Sequence, residues 1–340
     1  VLLAVGLLFS GALLEILKTK EELIDGAKLY LKIYFLGMPA LAIYNFGNAV
    51  LSAAGDTKRP LYILAAAGVI NVCLNLLFVI VFKRSVDGVA AASVISQYIS
   101  AFLIVAFLSK NDFSYSIDFK SISVNKKHAA SVLKLGVPSG FQNAVFAIAN
   151  LFIQGAVNSF DAVVVEGNAA AANADPLVYD VMAAFYMACA SFMSINYGAG
   201  NKKRVIKSYY ISLAYSAGIG AVLGILLLLF GKEFLALFTN EEAVINEGIV
   251  RLRIMAFSYA VSAFMDCTIA ASRGIGKTIV PTVMVILGSC VFRVAWIYTV
   301  FAHFHTVFSL YSLYIFSWSI TAAAEIIYFV FAYKKAMSAY

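Results

Sequence analysis

Charge is what this sequence has least of. Asp, Glu, Lys and Arg make up 13% of its 340 residues and hydrophobic residues 62%, against about 25% and 45–50% in soluble domains. A water-soluble fold of this length cannot cover itself with so few polar groups, so a separate soluble domain is excluded and the solvent around most of the chain is lipid. The mean hydropathy of +0.89 agrees. Cysteine is scarce too: Cys73, Cys189, Cys267 and Cys290 lie inside apolar runs without ligand spacing and read as buried, reduced thiols. His303 and His305 are too few for a metal site. There is no His-Glu-x-x-His and no acid-rich diphosphate motif, which argues against a membrane-embedded lipid enzyme. The net charge of +7 comes from basic residues in short clusters between apolar runs. That pattern belongs to membrane topology, and no basic face interleaved with aromatics suggests nucleic acid.

What is present is a series of apolar runs, at residues 1–17, 29–54, 60–82, 88–109, 129–158, 162–197, 207–230, 243–271, 279–301 and 307–333. Runs this long satisfy their backbone in lipid as helices rather than as barrel strands, so the expectation is an all-α membrane protein with ten transmembrane helices here. The sixth run is interrupted by Asp175, Pro176 and Asp180. Basic residues recur on alternate connections: Lys58 and Arg59; Lys110, Lys120, Lys126 and Lys127; Lys202, Lys203, Arg204 and Lys207; Lys277; Lys334 and Lys335. These connections are placed on the cytoplasmic side, with both chain ends. The segment Lys18 to Lys28 is balanced by Glu21, Glu22 and Asp25, while Lys83 and Arg84 are an outer-side exception partly offset by Asp87.

An internal repeat organises these helices. Residues 1–60 laid on 222–281 without a gap give 15 identities, including Leu7-Leu8-Phe9 on Leu228-Leu229-Phe230. The match ends on a shared G-x-T-x-x-P, Gly55 to Pro60 and Gly276 to Pro281. The copies lie six crossings apart, which predicts parallel repeats related by an axis along the membrane normal. Because the second copy begins near His128, the first is expected to lack two helices at its start. The chain, which opens with Val1 inside an apolar run, therefore reads as a fragment of a twelve-helix fold. Residues 1–109 would be the remainder of an N-lobe with four helices, 110–127 a cytoplasmic linker and 128–340 a C-lobe with six helices.

At this point the chain resembles the multidrug and toxin extrusion (MATE) family. The resemblance rests on Gly55-Asp56-Thr57-Lys58-Arg59-Pro60 with Asn71 and Asn75, and on Asp87 to Ser93 through Gln97. It continues in Gly136 to Asn143, Asn196-Tyr197-Gly198-Ala199-Gly200-Asn201 and Arg273-Gly274-Ile275-Gly276. It implies a V-shaped pair of six-helix lobes in the bacterial inner (plasma) membrane. Such a protein acts as a monomer in lipid, with no cofactor beyond a transported Na+ or H+, and exports cationic or amphipathic small molecules by alternating access. Three departures qualify this. The helix carrying the proton-coupling acid of some members is absent from this chain. The run 129–158 has no acid where sodium-coupled members carry one, and Ile195 replaces a glutamine common in relatives. A lipid-linked oligosaccharide flippase of the wider superfamily is the alternative, disfavoured because the sequence shows few buried basic residues.

Ionisable groups inside membrane helices mark functional sites by default. Asp266 stands opposite Asn45 in the repeat. It reads either as a cation-binding or protonation site or as a structural acid paired with Arg273. Asp180 shares a helical stripe with Ala184, Met187, Ser191 and Ser194, and reads either as part of an ion path or as an interfacial residue. One face of the fifth helix carries Ser139, Asn143, Ala147, Asn150 and Gln154, with Gln142 beside it. Asn45, Asn48 and Ser52, Asn71 with Asn75, and Ser93 with Gln97 and Ser100 repeat the habit in the first lobe. Such faces bind ions or substrates, or glue helices together. Arg293 and Glu325 are expected to pair across neighbouring helices. Gly220 and Gly224 form a G-x-x-x-G for close helix packing, and Gly274 to Thr278 a helix junction rather than a phosphate loop.

Overall fold

A computed structural model describes residues 2–16, 21–110, 116–117, 119–120, 123 and 125–338. Lys18, Lys20 and much of the 110–127 linker lie outside the described residues. The chain divides into two compact units, Val1–Ser123 and Val124–Tyr340.

The first unit contains α1 (Leu2–Ile16), α2 (Glu21–Leu36), α3 (Met38–Ala53), α4 (Lys58–Leu76, continued by a π-helical turn, Leu77–Val81) and α5 (Val86–Leu108). The second contains α6 (Lys126–Val157), α7 (Ala162–Ala172), α8 (Ala174–Gly198), α9 (Lys202–Leu229), the short α10 (Gly231–Leu235) and α11 (Glu242–Gly274). It continues through α12 (Ile279–Val285), α13 (Phe292–Trp296) and α14 (Ala302–Phe304), which form one rod with the π-helical turns Ile286–Val291 and Ile297–Phe301, and ends in α15 (Val307–Ser338).

Among the described residues the ten apolar runs become eight helices long and apolar enough to cross a membrane, one pair bent by 42° between Ile24–Leu36 and Met38–Ala53, and the shorter helix Leu3–Ala12. The bend has a local cause. Pro39 lacks the N–H that would continue the backbone ladder from α2, so the chain turns at Gly37 and restarts with proline in its first turn, where that donor is not needed. The interrupted sixth run is a single long span, Ala162–Gly198. Pro176 falls in the first turn of α8 and does not stop it.

The offset of 221 reappears in the backbone. Glu21 and Ala53 bound α2 and α3 as Glu242 and Gly274 bound α11, and the starts of α4 and α5 at Lys58 and Val86 match Ile279 and Val307. Both copies of G-x-T-x-x-P cap a helix in the same way. Gly55 and Gly276 have φ of 86° and 77°. The amides of Asp56 and Lys277 donate to the carbonyls of Leu51 and Ser272 at 2.9 Å each. Only glycine enters this left-handed conformation without strain, which is why the motif survives in both copies.

Within the second unit α11 is the central helix, packed against α7, α8, α9 and α15. Its most apolar stretch is 72% buried, against 6% for Lys58–Val81 in the first unit. Small residues permit this. A Cβ on Gly224 of α9 would lie 2.5 Å from the Ala256 carbonyl oxygen, and one on Gly167 of α7 would lie 2.8 Å from that of Val244. The G-x-x-x-G of α9 therefore marks a helix contact. Cys189, Cys267 and Cys290 are buried, whereas Cys73 is exposed on α4, contrary to expectation. An apolar run in lipid conceals nothing by its hydrophobicity alone, because helices with few neighbours expose apolar side chains to acyl tails.

Candidate functional site

The second unit encloses a cavity of about 500 Å³ between α6, α7, α8, α11, α13 and α15. Four charged side chains line it: Asp175, Arg251, Asp266 and Arg293. The first two form an ion pair. Arg251 Nη2 lies 2.6 Å from Asp175 Oδ2, and the Tyr259 hydroxyl donates to Asp175 Oδ1 at 2.7 Å. Arg251 also stacks over the Tyr311 ring, 5.5 Å from its centroid.

Asp266 differs. It lines the cavity half-buried, and among the described residues its carboxylate has neither an ion pair nor a hydrogen bond. The expected structural partner is engaged elsewhere, since Arg273 Nη2 donates to Gln142 Oε1 at 3.0 Å. Gln142 is thus a buried clamp between α6 and α11. Its neighbour Asn143 is exposed and lines no part of the cavity, while Asn150 and Gln154 from the same helix do. Asp180 is exposed and lies outside the cavity lining.

The expected pairing of Arg293 with Glu325 is not formed. Arg293 donates from Nε to Ser317 Oγ at 3.1 Å, and Ser317 precedes Glu325 by eight residues, about 12 Å of helix rise. Arg293 is 2% exposed and is surrounded by the rings of Tyr314, Trp318 and Phe146, with centroids at 4.7, 5.3 and 5.6 Å. Glu325 is fully buried, and neither of its oxygens has a hydrogen-bond partner among the described residues.

The first unit has a cavity of its own, about 340 Å³, lined by Tyr34, Tyr44, Asn71, Ser93, Gln97 and neighbours. Four of its positions, 34, 44, 93 and 97, are repeat equivalents of Met255, Met265, Tyr314 and Trp318 in the larger cavity. The two pockets are therefore one site inherited twice, charged in the second unit and uncharged in the first. Asn71 donates to Ser96 Oγ at 3.3 Å and accepts from Asn75 at 3.1 Å. Gln97 Oε1 has no hydrogen-bond partner among the described residues. Asn45, the repeat equivalent of Asp266, is exposed on α3 outside the pocket lining.

The sequence reading missed Asp175 with Arg251 and Tyr259, and the aromatic box around Arg293. A signal for the first was present, because Arg251 interrupts the apolar run of α11 and needs a partner in lipid. For the second there was none, since Tyr314 and Trp318 are ordinary in a membrane helix. Among the described residues no group of three His, Cys, Asp or Glu side chains is placed to hold a metal ion.

A multi-pass, all-helical membrane protein whose interior holds a polar cavity with an unpaired carboxylate has the construction of a solute transporter. The MatE family profile matches residues 1–77 and 138–299, and the chain belongs to that family. It is 33% identical over 257 residues to the probable multidrug resistance protein YpnP of Bacillus subtilis, covering 75% of this chain and 57% of that one. Similarity to the FAD transporter of Shewanella oneidensis is 24% over 252 residues, 72% of this chain and 55% of the relative. The chain spans about three fifths of the length of the curated relatives it matches. The relatives are named for multidrug resistance, multidrug export or FAD transport, and are not enzymes. The fold is that of an outward-facing multidrug resistance MATE transporter of the MOP superfamily, with a TM-score of 0.90 at 20% identity over 98% of this chain and 75% of the other. A Pyrococcus furiosus MOP superfamily transporter, described as having a binding pocket of reverse polarity, gives 0.91 at 20% identity and the same coverage.

Proposed function

We propose that this chain belongs to a cation-coupled secondary antiporter that exports drugs or organic cations by alternating access, with Asp266 as its coupling carboxylate. The observation that carries the reading is the contrast between the two acids of one cavity. Asp175 is satisfied by Arg251 and Tyr259, whereas Asp266 has neither an ion pair nor a hydrogen bond among the described residues. A carboxylate in low-dielectric surroundings without a partner is a binding position for a proton or a metal cation. Asn150 and Gln154 supply amide oxygens on the facing helix. In this reading residues 1–109 and 128–340 belong to the two lobes of a twelve-helix transporter, joined by 110–127. It works as a lipid-embedded monomer in the bacterial inner membrane, carries small molecules rather than nucleic acid, and needs no cofactor beyond the transported Na+ or H+. Two buried arginines line the cavity, more than the sequence led one to expect, but two acids accompany them. That balance favours an antiporter over a flippase with a strongly cationic cavity.

The test is Asp266→Asn in the full-length protein, reconstituted in vesicles. Dye efflux is driven separately by a sodium and by a proton gradient. Loss of efflux under one of the gradients, in a variant that still purifies as a folded, monodisperse protein, is the expected result. Coupling unchanged under both rules Asp266 out.

A further inference from the structure

Glu325 lines neither cavity, and the proposed coupling step does not use it. It is fully buried on α15, with both carboxyl oxygens unpartnered among the described residues. The bonds of Ser289 to Thr321 (3.0 Å) and of Arg293 to Ser317 (3.1 Å) fix the antiparallel register of the α12–α14 rod on α15, which sets Glu325 level with Val285. No charge comes from that side. The polar side chains of α12 and of the turn Ile286–Val291 are Thr282, Ser289 and Cys290, and Thr282 Oγ1 is itself buried without a partner. On α13 Arg293 stands eight residues from that level, about 12 Å of helix rise. Tyr328 is the ionisable neighbour on α15 itself. Among the described residues Arg273 of α11 is the charged group whose field reaches Glu325.

Arg273 lies in the field of two acids, Asp266 two turns along its own helix and Glu325 across on α15, and it bonds neither. Its Nη2 donates to the neutral amide of Gln142 at 3.0 Å, while its Nε is buried with no partner. An ionised carboxylate in a dry site would draw in a neighbouring guanidinium that has an N–H to spare. A carboxylic acid that carries its proton would not, and burying the neutral form avoids most of the cost of burying a charge.

We propose that Glu325 is a proton-binding site in its own right, neutral in this conformation, and that Arg273 is the counter-ion it meets when its proton leaves. In that step the O–H bond of Glu325 breaks, the proton passes to water at the exposed α11–α12 junction, Gly276-Lys277, and the electron pair stays on the carboxylate. Arg273 turns from Gln142 to the new charge, so the hydrogen bond that ties α11 to α6 opens as the proton departs. Proton occupancy on α15 is thereby linked to the seating of α6, the helix that brings Asn150 and Gln154 to the cavity. The site does not depend on which ion Asp266 binds.

Infrared spectroscopy of the full-length protein in liposomes reads the site directly, because the C=O stretch of a protonated carboxyl stands clear of the carboxylate bands. Carbon-13 in the glutamate side-chain carboxyls separates glutamate from aspartate. At neutral pH the wild type should show a protonated-glutamate band whose intensity falls in Glu325→Gln and is kept in Asp266→Asn. Raising the pH should titrate that band away. Arg273→Gln should move its midpoint up by at least about one pH unit, the tenfold change in proton affinity that a charge-assisted contact contributes. Arg273→Lys, which keeps the charge, should fall between the wild type and Arg273→Gln. A wild type with no protonated-glutamate band at neutral pH overturns the proposal without any variant, which covers a Glu325→Gln protein that does not fold. A band of unchanged intensity in Glu325→Gln overturns it equally, and a midpoint that Arg273→Gln leaves in place overturns the counter-ion role. Efflux by Asp266→Asn has no bearing on these readouts, so the two proposals stand or fall separately.

Discussion

Replacing Asp175 by Asn should be among the most damaging conservative changes in the second unit. The exchange removes one charge and almost no volume, so its effect measures electrostatics rather than packing. In the native arrangement Arg251, whose side chain is 5% exposed, has its Nη2 on Asp175 at 2.6 Å, while its Nε and Nη1 have no partner. The carboxylate is thus its only ionic compensation among the described residues. Breaking a buried pair from one side costs about 3–5 kcal/mol because the remaining charge is stranded. Asp175 itself is 26% exposed, and water reaching that side lowers the figure to about 2–3 kcal/mol. With about 2–4 °C per kcal/mol for a unit of this size, the apparent Tm in detergent should fall by roughly 4–12 °C. Tyr259→Phe, which deletes only the 2.7 Å hydrogen bond, should cost about 1.5 kcal/mol. The decisive variant is the double substitution Asp175→Asn with Arg251→Met, which removes both charges. It should be more stable than Asp175→Asn alone, since a pair exchanged for neutral groups is close to neutral in energy. A double variant as unstable as the sum of its parts would refute the reasoning, as would a Tm for Asp175→Asn within 1 °C of wild type.

Gly224→Ala should destabilise by about 1–3 kcal/mol, because the new methyl group meets the Ala256 carbonyl oxygen at 2.5 Å. Gly218→Ala in the same helix has no atom within 4 Å and should be neutral or stabilising, both read by thermal melting with size-exclusion chromatography. Gly55→Ala and Gly276→Ala meet no neighbour either, so their expected loss of about 1 kcal/mol is backbone strain alone, and Asn at either position should recover part of it. Equal stability of Ala and Gly at both positions would show that the caps are dispensable.

The fold was legible in the sequence for a reason particular to membranes. A helix in lipid announces itself by length and hydropathy, and an ungapped repeat transfers boundaries from one copy to the other, down to the caps at Gly55 and Gly276. The bend at Gly37 was signalled by Pro39 but has no counterpart at Ser258, so the repeat argued against it. The site was legible only in its rarest letters. Asp266 stood out because acids in apolar runs are scarce, but whether it was paired depended on where Arg273 reached, and the structure sends that side chain to Gln142. The expected Arg293–Glu325 pair failed because complementarity of sign says nothing of height along two helices. Asn143 and Gln142 are adjacent in sequence yet differ completely in burial, since one residue is about 100° of helix.

The π-helical turn at Ile286–Val291 has no equivalent in the first unit, whose corresponding helix runs as plain α-helix until Leu77. An i→i+5 turn advances the chain by one residue without advancing its facing direction. In the first unit the side chain that reaches across to Ser96 is Asn71; in the second the side chain that reaches the equivalent Ser317 is Arg293, whose repeat partner is position 72. The slip is one residue, the amount a single π turn supplies. A duplicated scaffold can thus change the charge of its pocket by re-phasing a helix, leaving Phe292, the repeat partner of Asn71, rotated out of the role. Helical phase is then a variable of specificity in its own right, and comparing two such lobes residue by residue in linear register will misassign the very position that differs.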